Sequence, residues 1–186
     1  MSSLSELSSG ALAELAQVFK RLPDDAADGL IEAIAGARRI AIYGCGREGL
    51  QMKGLAMRLF HLGRDVHMVG DMTTPPVGPG DLLLVSAGPG AVATVETLMR
   101  VARDAGARTA LVTAQPGGPA GALADVVTVI PAQTMADDRG GGISVLPMGS
   151  LFETAQMLLF ELVILKLRDR LGETAETMRA RHTNLE

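Results

Sequence analysis

Between Arg39 and Ile130 the chain alternates short, unbroken apolar runs with longer stretches whose apolar residues recur every three or four positions. The runs are Arg39 to Tyr43, Asp65 to Val69, Leu82 to Ser86, Arg108 to Thr113 and Val126 to Ile130. Continuous apolar runs of this length predict strands buried on both faces, hence a parallel sheet covered by helices; a sheet wet on one side would alternate. The stretches between them predict helices from about Arg47 to Leu62 and from about Ala91 to Ala105, and a short one from Gly118 to Leu123. With right-handed crossovers, five such strands form a doubly wound α/β sheet, for which the flavodoxin-like order 2-1-3-4-5 is expected. Ligands of such sheets gather beyond the carboxyl ends of the strands, at the switch point between strands 1 and 3. Those two ends carry Gly44-Cys45-Gly46 and Gly88-Pro89-Gly90.

Helical patterns flank the sheet. Ser3-Leu4-Ser5-Glu6 has capping-box spacing and opens a helix running through Phe19. Pro23 and Asp24 are expected to open a second, which Gly36 stops. Pro131 to Pro147 is a polar loop containing Gly140, Gly141 and Gly142, long for a compact domain, and is expected to be either mobile or functional. Gly149-Ser150 starts a long helix to about Arg170, and a last helix runs from Thr174 to about His182. The reading is one domain over 1–186, with N-terminal helices in 1–37, the sheet core in 38–131 and C-terminal helices in 149–183. The stretch from Ala155 to Leu167 is apolar almost all round. One small sheet covers only one side of such a helix, so the rest predicts contact with another subunit.

Composition narrows the function classes. The net charge of −4 argues against a nucleic-acid binder, which would usually be basic. Aromatic residues at 3% leave little for stacking on bases. A single cysteine, Cys45, excludes an intrachain disulfide and any multi-cysteine metal site, and suits a reducing cytosol. The N-terminal residues are Ser-rich without a basic segment and an apolar one, so no signal peptide is expected. Met157 to Leu167, interrupted by Glu161 and Lys166, is too short and polar to span a bilayer. A cytoplasmic protein without membrane or nucleic-acid partners is expected.

Gly44-Cys45-Gly46-Arg47-Glu48-Gly49 follows a strand and opens a helix. Such a turn lets backbone amides approach an anion, which the helix dipole also favours. Its glycine spacing also matches the dinucleotide fingerprint. However, no acidic residue ends strand 2 in the ribose-binding manner, Asp71 lying two residues past Val69. A tight turn with no ligand is the plainer alternative.

The string from Gly44 to Gly49, followed by Ala56-Met57-Arg58-Leu59-Phe60-His61-Leu62-Gly63, resembles the first motif of the 6-phospho-3-hexuloisomerases. Gly70-Asp71-Met72-Thr73-Thr74-Pro75 resembles that family's second loop, and Pro147-Met148-Gly149-Ser150-Leu151-Phe152-Glu153 its third block. Met178 to Glu186 resembles its C-terminal signature. The resemblance implies a sugar-isomerase (SIS) fold and a homotetramer, a dimer of dimers in which neighbouring chains contribute to each site. It implies interconversion of 3-keto and 2-keto hexose 6-phosphates through an enediol, with no metal and no cofactor. It assigns Glu153 as the base, and places His61 and His182 near the substrate. A carboxylate can take and return one proton, and a histidine can supply or accept one near neutral pH. Arg47 and Lys53 are candidates to neutralise phosphate or enediolate charge. Each has a duller alternative. Ser150-Leu151-Phe152-Glu153 is also a capping box, and Arg58 with His61 at i, i+3 is also a surface or interface pair. His67 is read as structural and Cys45 as a small space-filler.

The chain departs from the family at the end of strand 3. There the family carries Ser-Gly-Ser-Gly-Glu-Thr, whose hydroxyls and amides hold the sugar phosphate. This chain has Ser86-Ala87-Gly88-Pro89-Gly90-Ala91. Two hydroxyls are gone, and Pro89 removes an amide donor. Hydrogen bonds to a charged group are worth about 1.5–3 kcal/mol each, so this places the substrate in question more than the reaction. Candidate substrate contacts are Gly44, Gly46, Arg47, Lys53, Ser86, Gly88, Gly90, Thr94, Thr113 and Gln115. The expected ligand is a sugar or sugar phosphate. Alternatives are a different keto sugar as substrate, a non-catalytic sugar-binding module, and, from the glycine spacing alone, a nucleotide-dependent oxidoreductase.

Overall fold

A computed structural model of the chain describes residues 2–139 and 143–185. The triple glycine of the long loop therefore lies outside the described residues.

Five parallel strands, β1 (Ile40–Gly44), β2 (Val66–Met68), β3 (Leu82–Ser86), β4 (Arg108–Thr113) and β5 (Val126–Val129), pair in the order β2-β1-β3-β4-β5. This is the expected switch-point topology. The register sets Gly44 directly beside Ser86 at the carboxyl ends of the two central strands. Every residue of β3 is buried, as its unbroken apolar pattern requires.

Helices α1 (Leu4–Arg21), α2 (Asp28–Gly36), α3 (Gly46–His61), α4 (Ala93–Asp104), α5 (Ser150–Leu171) and α6 (Ala175–Ala180) complete the chain. One core lies between the sheet and α2, α3 and α5. Ile40, Ile42, Leu82 and Leu84 meet Met52, Leu55, Leu59, Phe152, Leu159 and Val163 there. A second core under α4 joins Leu83, Val85 and Leu111 to Val95 and Met99.

Several boundaries differ from the sequence expectation. α2 begins at Asp28 rather than Asp24, because the amides of Ala26 and Asp28 bond three residues back, to Pro23 and Asp25, and form turns. α4 begins at Ala93, after the Pro89-Gly90 turn has been completed. The short helix expected from Gly118 is a single 3-10 turn, Gly121–Leu123. α6 ends at Ala180, leaving His182 in the turn beyond it.

The capping box at Ser3 and Glu6 is formed. No helix among the described residues is long and apolar enough to cross a membrane. On α5, Met157, Leu158, Leu162 and Leu165 remain 42–52% exposed, an apolar stripe that one chain leaves uncovered.

Candidate active site

At the rim of the sheet the chain leaves β1 through Cys45 and enters α3 at once. A side chain on Gly49 would put its Cβ 2.5 Å from the Gly44 carbonyl oxygen, so glycine alone permits this close turn. Gly46 adopts φ +56°, a left-handed conformation natural to glycine. The third residue of α3, Glu48, points across to the end of β3. Its carboxylate accepts the Ser86 hydroxyl and the Gly88 amide, the latter at 2.9 and 3.1 Å to its two oxygens. The buried Gln156 of α5 donates through Nε2 to Ser86 Oγ at 2.7 Å. Burial pushes the Glu48 carboxyl above its ordinary range against the lowering effect of these donors, and the nearby Glu153 charge raises it further.

Glu153 reaches the same rim from α5. Met148 (φ 56°) and Gly149 (φ 79°) are successive left-handed residues that turn the chain into this helix. Gly149 is the N-cap, and no side chain caps this helix. The capping-box geometry at Ser150 and Glu153 is thus not formed. The Glu153 carboxylate instead meets Arg47 Nε at 2.7 Å, and Arg47 Nη2 donates to the Met148 carbonyl at 2.6 Å. One guanidinium therefore fixes both the base candidate and the turn that launches its helix.

The remaining candidates divide into three groups. Thr113 and Gln115 brace the β3 turn from β4. The buried Thr113 hydroxyl donates to the Gly88 carbonyl at 3.3 Å and accepts the Gln115 amide at 3.0 Å. Gly90 (φ +76°) lies so close to Gln115 that a Cβ would come within 2.6 Å of its backbone oxygen. Thr94, at the start of α4, is within reach of the Tyr43 phenol, which also accepts from Cys45 Sγ at 3.5 Å. Lys53 lies on the exposed face of α3 and lines a separate hollow with Phe60, Met68, Asp71 and Thr73.

The two histidines form a third group. Their rings stack with centroids 5.2 Å apart, in a hollow of about 370 Å³ that also receives Arg58, Arg168 and Arg179. His61 ends α3 while Glu48 begins it, which separates them by roughly 20 Å at 1.5 Å per residue. A single chain thus gathers Arg47, Glu48, Ser86, Gly88 and Glu153, and keeps the histidines at the far end of α3. His67 in β2 pairs with Asp65, the residue before the strand, at 2.7 Å, in keeping with a structural role.

Sequence reasoning passed over Glu48. The available signal was an acidic residue one turn into a helix whose preceding strand lies beside Ser86, a pairing that becomes visible only once the register is known.

Comparison with known proteins agrees with this architecture. Residues 33–164 match the SIS domain model. A 3-hexulose-6-phosphate isomerase from Mycobacterium gastri is 39% identical over 173 residues, covering 93% of this chain and 86% of the relative. Another so named, from Bacillus subtilis (strain 168), is 35% identical and covers 94% and 95%. A crystal structure from Methanococcus jannaschii, whose authors infer a 3-hexulose-6-phosphate isomerase function, superposes with a TM-score of 0.83. It is 29% identical and covers 98% of this chain and all of that one.

Proposed function

The chain belongs to the SIS domain family, alongside the 3-hexulose-6-phosphate isomerases, and on that footing we propose that it interconverts the 3-keto and 2-keto forms of a hexulose 6-phosphate or closely related keto sugar. The observation that carries the proposal is the orientation of Glu153. Its carboxylate is turned to the glycine rim and held by Arg47, when the local sequence would let it cap its own helix.

The reaction needs one base that removes a proton from the carbon beside the carbonyl and returns it to the neighbouring carbon of the enediol. Glu153, 16% exposed, is open enough to meet a ligand and is held in one orientation. Arg47 acts on it as a positioning group. His61, at the far end of α3, and His182, stacked on it from beyond α6, lie too far from the rim to join Glu153 of their own chain, so their part in the reaction requires a neighbouring subunit. The apolar stripe on α5 supports contact with another subunit; on this reading the assembly is a homotetramer built as a dimer of dimers, working in the cytoplasm without a cofactor.

A second reading, a sugar-binding module without catalysis, is favoured by one feature: Glu48 takes up the Ser86 and Gly88 donors. The two separate by NMR in deuterated water. Isomerisation predicts that a hexulose 6-phosphate, or a free hexulose, changes keto position and takes up solvent deuterium at the reacting carbon. Binding with neither change supports the module.

A further inference from the structure

The geometry points to Glu48 as a specificity-determining residue: its carboxylate is a built-in anion that occupies the Ser86 hydroxyl and the Gly88 amide, so the β3 turn receives a neutral, hydroxyl-bearing part of the sugar and disfavours a phosphate group. The inference rests on the isomerase reading for the location of the cleft, and narrows its substrate.

Three observations converge on it. First, both donors of the turn that face Glu48 are engaged by it, the amide through both carboxylate oxygens. A phosphate arriving there would find those donors taken and a like charge in their place. Like charges brought into contact at a partly buried site repel more strongly than they would in bulk water.

Second, the space is closed as well as the charge. A Cβ on Gly88 would lie 2.9 Å from Glu48 Oε1 and 2.9 Å from the Phe152 ring. With Glu48 seated, the turn cannot carry a second hydroxyl side chain at this position. The glycine and the glutamate fit each other.

Third, the arrangement is braced from below. Gln156 holds Ser86 Oγ as an acceptor, which directs the Ser86 proton toward Glu48. Ala114 and Thr113 donate to the Gly88 carbonyl at 3.0 and 3.3 Å, which leaves the Gly88 amide aimed at the carboxylate. Arg47 is already bound to Glu153 and Met148 rather than to Glu48. A ligand hydroxyl, by contrast, can donate to a Glu48 oxygen without displacing it, since an ionised carboxylate has about four acceptor positions.

The test is calorimetric titration of the full-length protein with inorganic phosphate at pH 8, using wild type, Glu48→Gln and Glu48→Ser. The glutamine keeps the shape and removes the charge; the serine also opens the space. The same proteins are then assayed with a hexulose and its 6-phosphate. Expected is at least about a tenfold gain in phosphate affinity in both variants, together with a shift of the kcat/KM ratio toward the phosphorylated sugar. Phosphate affinity unchanged in both folded variants overturns the inference, whatever the activities. If phosphate binding rises but no variant exchanges deuterium into either sugar, the inference stands and the isomerase reading fails.

Discussion

Arg47 Nε meets the Glu153 carboxylate at 2.7 Å, joining the first turn of α3 to the first turn of α5. The same guanidinium holds the Met148 carbonyl, in the left-handed turn that precedes α5. The contact matters for direction more than for stability. An ion pair with a half-exposed arginine contributes at most about 1 kcal/mol.

Removing Arg47 therefore reads out in turnover. Arg47→Ala leaves Glu48 and Glu153 facing each other without the cation and frees the Glu153 rotamer. A fall in kcat of about one to two orders of magnitude is expected, with little change in thermal midpoint. Arg47→Lys recovers part of it, since an ammonium restores charge without the two-point geometry. Steady-state kinetics alongside thermal melts check this. A large loss of stability with kcat intact would mean the pair is only a brace.

Glu48 carries an unusual stability signature. Burial raises its folded pKa above the unfolded value, so the unfolded state ionises first as pH rises. Stability is thus lost as pH climbs from the ordinary carboxylate range through the raised folded value. Glu48→Gln is expected to be as stable as wild type or more so at pH 7, with the difference vanishing near pH 4. Urea denaturation at the two pH values measures it.

Asp81 has the opposite sign. It accepts both Arg38 Nε and Nη2 at 3.0 Å, and the Gly78 amide at 2.9 Å, at the end of the sheet away from the site. The Arg38 hydrogen bonds hold its carboxyl below the usual range. Its stabilisation is present above the ordinary aspartate pKa and is lost as pH falls through the lower folded value. Asp81→Asn should cost about 1–3 kcal/mol at pH 7 and converge on wild type in acid, without altering phosphate binding.

The α5 stripe predicts assembly. Leu158 and Leu165 are 42% and 48% exposed in the single chain. Glutamate at both positions is expected to yield monomers by light scattering, with helical circular dichroism retained. If His61 and His182 serve a neighbour's Glu153, turnover disappears in the same variant. An unchanged assembly would move the interface elsewhere.

Much of the fold was legible because both-face burial leaves an unmistakable mark. The unbroken run Leu82–Ser86 became the fully buried central strand, and the two glycine turns met at the switch point. The α2 boundary was not legible, because Pro23 and Asp24 are equally good residues for the turns that occupy 24–27. In the site, Glu153 was readable as a carboxylate at a helix start, but not which way it would turn, since capping and pairing with Arg47 draw on the same local sequence. The position of Glu48 depended on register and on the absence of a side chain at Gly88, both properties of the fold.

The most direct measurement is deuterium exchange and turnover by Glu153→Gln. The account predicts at least about a hundredfold loss of both, with sugar binding, assembly and melting temperature kept. A Glu153→Gln protein that still isomerises at the wild-type rate would contradict it.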